Sequence, residues 1–137
     1  MKIKWIFSGI LALIILSGAT FQAFSQEKKE NKVFEKVELM PKFQGKDIKH
    51  FNQWVMKNIQ YPKDSLKEGI SGKVYVGFVV ASDGSVTDVK VKRSVHEYLD
   101  KEVVRVVKSS PAWTPGKNKG KAVDVAIAIP VDFKLSN

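Results

Sequence analysis

His50 and His96 are the only histidines in a chain of 137 residues, and no other side chain type ordinarily titrates near neutral pH. They are therefore the first candidates for a general base, which needs a nucleophile or a substrate proton within hydrogen-bond reach. His50 falls inside an apolar-striped segment. His96 stands just before the start of another, where an imidazole serves as a surface or capping group. No serine sits in a nucleophile elbow, and no set of His, Asp and Glu residues has a metal-ligand spacing. The cysteine count is zero, which removes thiolate nucleophiles, zinc–thiolate sites, disulfides and a lipid-modified cysteine. The residues indicate no enzyme, no metal and no cofactor. What remains is the chemistry of the main chain, whose N–H and C=O groups must all find partners.

The C-terminal segment is where that chemistry is legible. Val123, Val125, Ile127, Ile129, Val131, Phe133 and Leu135 alternate with Ala122, Asp124, Ala126, Ala128, Pro130, Asp132 and Lys134. Period two with one apolar face predicts a strand of an antiparallel sheet, buried on one side and exposed on the other. Pro130 cannot donate to a ladder, so the strand is expected at a sheet edge along that part. An edge presents unpaired backbone groups to any extended segment that can line up beside it.

The preceding elements must build the sheet that holds this strand. Val33 to Phe43 reads as a short strand or extended lead-in ending near Pro41. Asp47 looks like an N-cap for a helix striped by Ile48, Phe51, Val55 and Ile59, which Tyr61-Pro62 stops. A short helical piece from Pro62 to Glu68 ends at Gly69. From Ser71 to Ala81 the period becomes two, with Val74, Val76, Phe78 and Val80 on one face. Ser82-Asp83-Gly84-Ser85 is a hairpin turn, and Val86 to Val95 returns with Val89 and Val91 inward. Val86 is out of phase with these two, the mark of a bulge. Tyr98 to Ser110 is the main helix, with Leu99, Val103, Val106 and Val107 on its buried face and Pro111 as its stop. Trp113 is expected to plug the core. Gly72, Gly84 and Gly116 read as turn residues. Tyr75 and Phe78 point to opposite faces by parity, and no ribonucleoprotein motif accompanies them, so nucleic acid is not an expected partner.

The N-terminus carries Lys2 and Lys4, the apolar run Ile6 to Leu16, and the small-residue site Ala23-Phe24-Ser25. That order is a secretory signal peptide over residues 1–25. Cleavage after Ser25 is favoured over retention as an inner-membrane anchor. Removal of 25 of the 137 residues leaves 112, one small domain held by packing alone. Residues 26–42 are expected to form a tether and lead-in strand, with Glu27 to Lys32 loose, and 43–137 the domain. The formal net charge is +9, and loss of Lys2 and Lys4 leaves 21 basic against 14 acidic residues, or +7. Export to the periplasm separates this charge from nucleic acid and leaves acidic envelope partners or anionic lipid.

The order of these elements and their punctuation resembles the C-terminal domain of TonB, in the short form common in Bacteroidetes-type genomes. The residues that carry the resemblance are Gln60-Tyr61-Pro62, Gly69-Ile70-Ser71-Gly72-Lys73-Val74, Phe78-Val79-Val80 and Asp83-Gly84-Ser85-Val86. They continue through Leu99-Asp100-Lys101-Glu102, Trp113-Thr114-Pro115-Gly116-Lys117 and Pro130-Val131-Asp132-Phe133-Lys134-Leu135. The set spans about Phe43 to Leu135. It implies an α+β fold, a three-stranded antiparallel sheet with two or three helices packed on one face. It also implies capture of the TonB box, a short segment of a TonB-dependent outer-membrane transporter, by strand addition in support of transport.

The expected partner-binding residues are then Lys121, Ala122, Val123, Asp124, Val125, Ala126, Ile127 and Ala128. The resemblance adds Gln60, at a position where TonB has a partner-proximal glutamine. At a net ~0.5–1.5 kcal/mol for each backbone hydrogen bond, a short box implies reversible binding around micromolar. Coupling to an ExbB–ExbD motor is not expected. The stretch from Glu27 to Phe43 reaches at most about 60 Å, and a cleaved chain has no anchor to pull on. The alternative class is an envelope structural protein that forms a homodimer through its edge strand or binds cell-wall polymer. A further expectation is that Val33 to Met40 can cover the edge.

Overall fold

The computed structural model describes residues 32–135, so the signal peptide read at 1–25 and all but the last residue of the loose stretch Glu27–Lys32 lie outside the described residues. The elements run β1 (Val33–Phe34), α1 (Ile48–Asn58), α2 (Lys63–Lys67), β2 (Gly72–Val80), β3 (Val86–Arg93), α3 (Glu97–Lys108), β4 (Gly116–Asn118) and β5 (Lys121–Phe133). Asp47 caps α1 by accepting from the His50 N–H at 3.3 Å. Gly69, at φ +66°, ends α2 as a left-handed cap.

Strands β3, β2 and β5 form the expected antiparallel sheet, with Val80 opposite Val125 and Gly72 opposite Phe133 along the β2–β5 ladder. Two short strands raise the count beyond three. β1 runs parallel to β5, and β4 pairs with β5 as a hairpin. The Lys- and Gly-rich stretch 116–120 has no strand period of its own. Within it Lys119 and Gly120, both at positive φ, make the two-residue turn that closes this hairpin.

The inward row of β2 (Val74, Val76, Phe78, Val80) and of β5 (Val125, Ile127, Ile129, Val131, Phe133) is buried against Phe51 and Val55 of α1 and Leu99, Val103, Val106 and Val107 of α3. Trp113 is 4% exposed and lies with ring centroids 5.3, 4.7 and 5.8 Å from Phe43, Phe51 and Phe78. It is a core plug, as expected from the sequence.

The phase problem in β3 resolves as anticipated. Val79 faces Thr87 and Gly77 faces Lys90, so β3 holds one extra residue there, and Asp88 sits at φ +52°. That bulge lets Val86, Val89 and Val91 all pack against the core although their numbers differ in parity. Gly84 is a true turn glycine. Gly116 is not: it lies in β4 without positive φ, and a Cβ there would fall 2.7 Å from Val125 Cγ2 and 3.1 Å from the Leu39 carbonyl oxygen. Its requirement is close approach of three chain segments, which local sequence does not reveal.

Candidate functional site

Strand β5 pairs with β2 through residues 125–133. Pro130 has no N–H, and its carbonyl accepts a 2.7 Å hydrogen bond from the Asn52 side chain of α1 rather than from β2. Backbone groups of alternate residues in a strand point to opposite sides. The odd-numbered residues of this stretch therefore serve the β2 ladder, and the even-numbered ones face the other edge. Asn118 and Lys121 close the β4 hairpin, so Lys121 and Val123 likewise spend their backbone groups on β4. What faces the outer edge is Ala122, Asp124, Ala126, Ala128, the capped carbonyl of Pro130 and, past it, Asp132. The strand is thus an edge at Pro130, as the sequence implied.

Part of this edge has an occupant. β1 lies along it in parallel register, Val33 opposite Asp124 and Phe34 opposite Val125. In a parallel ladder the partner residue sits between two outward-facing residues, here Asp124 and Ala126. The lead-in then bends at Glu35 and Lys36 and leaves β5. It rejoins the domain through paired backbone bonds of Leu39 with Lys117 (3.0 and 2.8 Å) and Lys42 with Thr114 (3.0 and 2.9 Å). Ala126 and Ala128 continue the edge beyond β1 up to Pro130.

Helix α1 runs beside this edge, a placement that its sequence did not announce. Ile48 and Ile127 line one groove of about 520 Å³ with Leu39, Met40 and Pro41, and the charged residues Glu38, Lys42, Lys46 and Asp47 complete its lining. Asn52 reaches Pro130. Met56 joins Phe133, Asp132 and Tyr61 in a second groove of about 370 Å³. The spacing 48, 52, 56 is one ridge of a helix, so a strand laid along β5 would meet an apolar, a polar and an apolar residue in turn. Ile48 was expected in the core stripe; it is 37% exposed, with Leu39 59% and Met40 46% exposed beside it. On the opposite face Ala126 and Ala128 border a shallow trough with Gly77, Val79 and Val33.

The structure joins the sequence-derived residues Lys121–Ala128 in one strand but divides their roles. Ala122, Ala126 and Ala128 face the edge with small side chains. Val125 and Ile127 are buried, and Val123 packs against the core. The Asp124 carboxylate accepts from the Ser82 N–H at 2.7 Å and so ties β5 to the β2–β3 turn. Gln60 stands apart, in a groove of about 420 Å³ with Tyr98, Lys101 and Arg105 of α3. Only Tyr61 lines both this groove and the one at Met56. Tyr61 donates its hydroxyl to the Ile70 carbonyl and its ring meets Phe133 edge-on at 5.4 Å, which makes Tyr61-Pro62 a structural corner.

The Gln60 main chain is clamped by Glu102, whose carboxylate accepts from the Gln60 N–H at 2.5 Å and from the Arg105 guanidinium at 2.6 and 2.8 Å. Partial burial pushes the Glu102 carboxyl upward, but the Arg105 charge and the two donors outweigh it and hold the group below its usual range. Each histidine has a structural partner. His50 Nε2 lies 3.0 Å from Gln44 Oε1, and His96 Nδ1 accepts from the Tyr98 N–H at 3.2 Å to cap α3.

The family model for the Gram-negative bacterial TonB protein C-terminal matches residues 57–135. Protein tonB2 of Pseudomonas aeruginosa is 33% identical over 78 residues, covering 56% of this chain and 28% of that protein. Protein TonB of Helicobacter pylori strain J99 is 34% identical over 77 residues, covering 56% of this chain and 26% of that protein. The matched part thus spans little more than a quarter of these relatives. The NMR solution structure of the Helicobacter pylori TonB C-terminal domain (residues 194–285) superposes with a TM-score of 0.50 at 26% identity, covering 66% of this chain and 95% of that one. The family match starts at residue 57, so β1, Ile48, Asn52 and Met56 all precede it.

Proposed function

The chain belongs to the Gram-negative bacterial TonB protein C-terminal family, and from that premise we propose that it is a periplasmic binding module that captures an extended segment, the TonB box, of an outer-membrane transporter by adding it to β5. The observation that carries this reading is the outer edge of β5. Beyond the Ala126 N–H that borders Phe34, the Ala126 carbonyl and both backbone groups of Ala128 turn outward up to the Pro130 stop, with small side chains that let another strand approach. Main-chain hydrogen bonds supply the affinity, and the grooves on either face select side chains. Pro130 and Asn52 end the ladder, so the added strand is short and its binding weak and reversible. Such a module supports transport without itself having to carry force from an ExbB–ExbD motor.

The test is capture from solubilised outer membranes, with bound proteins identified by mass spectrometry. Wild type should recover TonB-dependent transporters, and an Ala128→Pro variant, which removes one outward N–H and no bond to β2, should recover far less. Equal recovery by the two would refute strand addition at this edge. A homodimer through β5 would instead appear as a mass that rises with concentration and falls in the same variant.

A further inference from the structure

β1 stops after two residues although the edge of β5 continues, and the register supplies a physical reason. With Phe34 opposite Val125, the next positions would set Glu35 opposite Ala126 and Lys36 opposite Ile127. Residues opposite each other share a face of the sheet. Lys36 would therefore be directed into the groove that Ile127, Ile48, Met40 and Leu39 line together with the charged residues Glu38, Lys42, Lys46 and Asp47. Against the apolar part of that lining an ammonium loses water without gaining a hydrogen-bond partner, which is unfavourable. The chain bends away at Glu35 and Lys36, and Lys36 stays exposed.

We propose that Val33–Phe34 is a weak resident occupant of the β5 edge, and that the groove at Ile48 and Met40 selects the segment that displaces it by taking a bulky apolar side chain where this chain has Lys36. The inference rests on the strand-addition reading above and names the class of segment. It is an extended stretch with apolar residues two apart, opposite Val125 and Ile127, able to carry the ladder on past Ala126 to Ala128. Three of the chain's exposed large apolar residues, Leu39, Met40 and Ile48, gather at this one groove, as a side-chain pocket of a peptide site requires. The resident segment shows that an extended chain fits this edge; its charge at the inward position after Phe34 explains why it yields.

The experiment uses the full chain after removal of residues 1–25, carrying Phe34→Pro to vacate the edge. The probes are two synthetic peptides: residues 32–37 of this protein, and the same peptide with Lys36→Leu. Binding is read from amide shifts of Ala126 and Ala128. The leucine peptide is expected to bind roughly tenfold tighter, the scale of burying one large apolar side chain in place of a charge. Adding Ile48→Asp should erase that preference while leaving the weaker binding of the lysine peptide in place. Ile48 is partly exposed at the first position of α1, which suits this substitution, since an acidic residue favours a helix N-terminus. If both peptides bind equally, or if the preference survives Ile48→Asp, the groove inference is overturned and strand addition stands. If neither peptide moves the two amides, strand addition at this edge fails with it.

Discussion

Proline placed along β5 separates binding from folding by the parity of a single position. Val125 is fully buried and pairs with Val80 of β2. Proline there removes a ladder donor, strands a partner carbonyl and misfits the core. The orphaned group costs about 1–3 kcal/mol and the misfit about as much again, or about 2–6 kcal/mol in all. At about 4–8 °C per kcal/mol for a domain near this size, the melting temperature should fall by on the order of 10–50 °C. Ala128 is three residues along, exposed, and directs its N–H away from β2. Its replacement by proline should cost about 0–1.5 kcal/mol of stability, as the natural Pro130 in the same parity shows is tolerable.

The binding consequence runs the other way. Loss of the Ala128 donor removes one intermolecular hydrogen bond, a net ~0.5–1.5 kcal/mol, or about 2- to 12-fold in affinity. Thermal melts followed by circular dichroism give the first comparison, and titration with the leucine peptide gives the second. A destabilisation by Ala128→Pro as large as that of Val125→Pro would refute the assignment of outward groups on β5. So would a folded Ala128→Pro variant that binds as well as its parent.

Three further outcomes follow from packing and charge. Trp113→Ala should lower stability by about 3–5 kcal/mol in chemical denaturation, because the ring is buried among Phe43, Phe51 and Phe78. A loss under about 1 kcal/mol would mean the ring is not a core element. Gly84→Ala should also destabilise, since its Cβ would lie 2.2 Å from the Trp113 carbonyl oxygen at a φ of +89°; a strained site of this kind costs about 1–3 kcal/mol in a melt. Glu102 has its folded carboxyl held below the unfolded value. Its contribution is present above an unfolded pKa of about 4.3 and is lost as pH falls through the lower folded value. Glu102→Gln should therefore lower stability at neutral pH and flatten the acid limb of a stability–pH curve; parallel curves for the two proteins would exclude the clamp.

The main elements were legible in the amino-acid pattern because each reports on a local rule. Asp47 and Gly69 punctuate helices, period-two runs mark β2 and β5, the Asp83-Gly84 turn joins β2 to β3, and the phase slip at Val86 disclosed the bulge. Pro130 marked the edge because the missing N–H is a property of one residue. Other features were decided only by tertiary placement. A two-residue strand such as β1 has no period to detect, and its parallel pairing joins positions some ninety residues apart. Ile48 satisfied the stripe of α1 as well as Phe51 did. Which of them would be buried depended on where β5 ran beneath the helix. Gln60 lies in a groove beside α3, where the Glu102 clamp and the Tyr61 corner set the direction of the chain, a placement local sequence does not reveal. Local sequence sets the backbone state and the face of each element; which faces meet, and which edge is left with partners to find, is set by long-range packing.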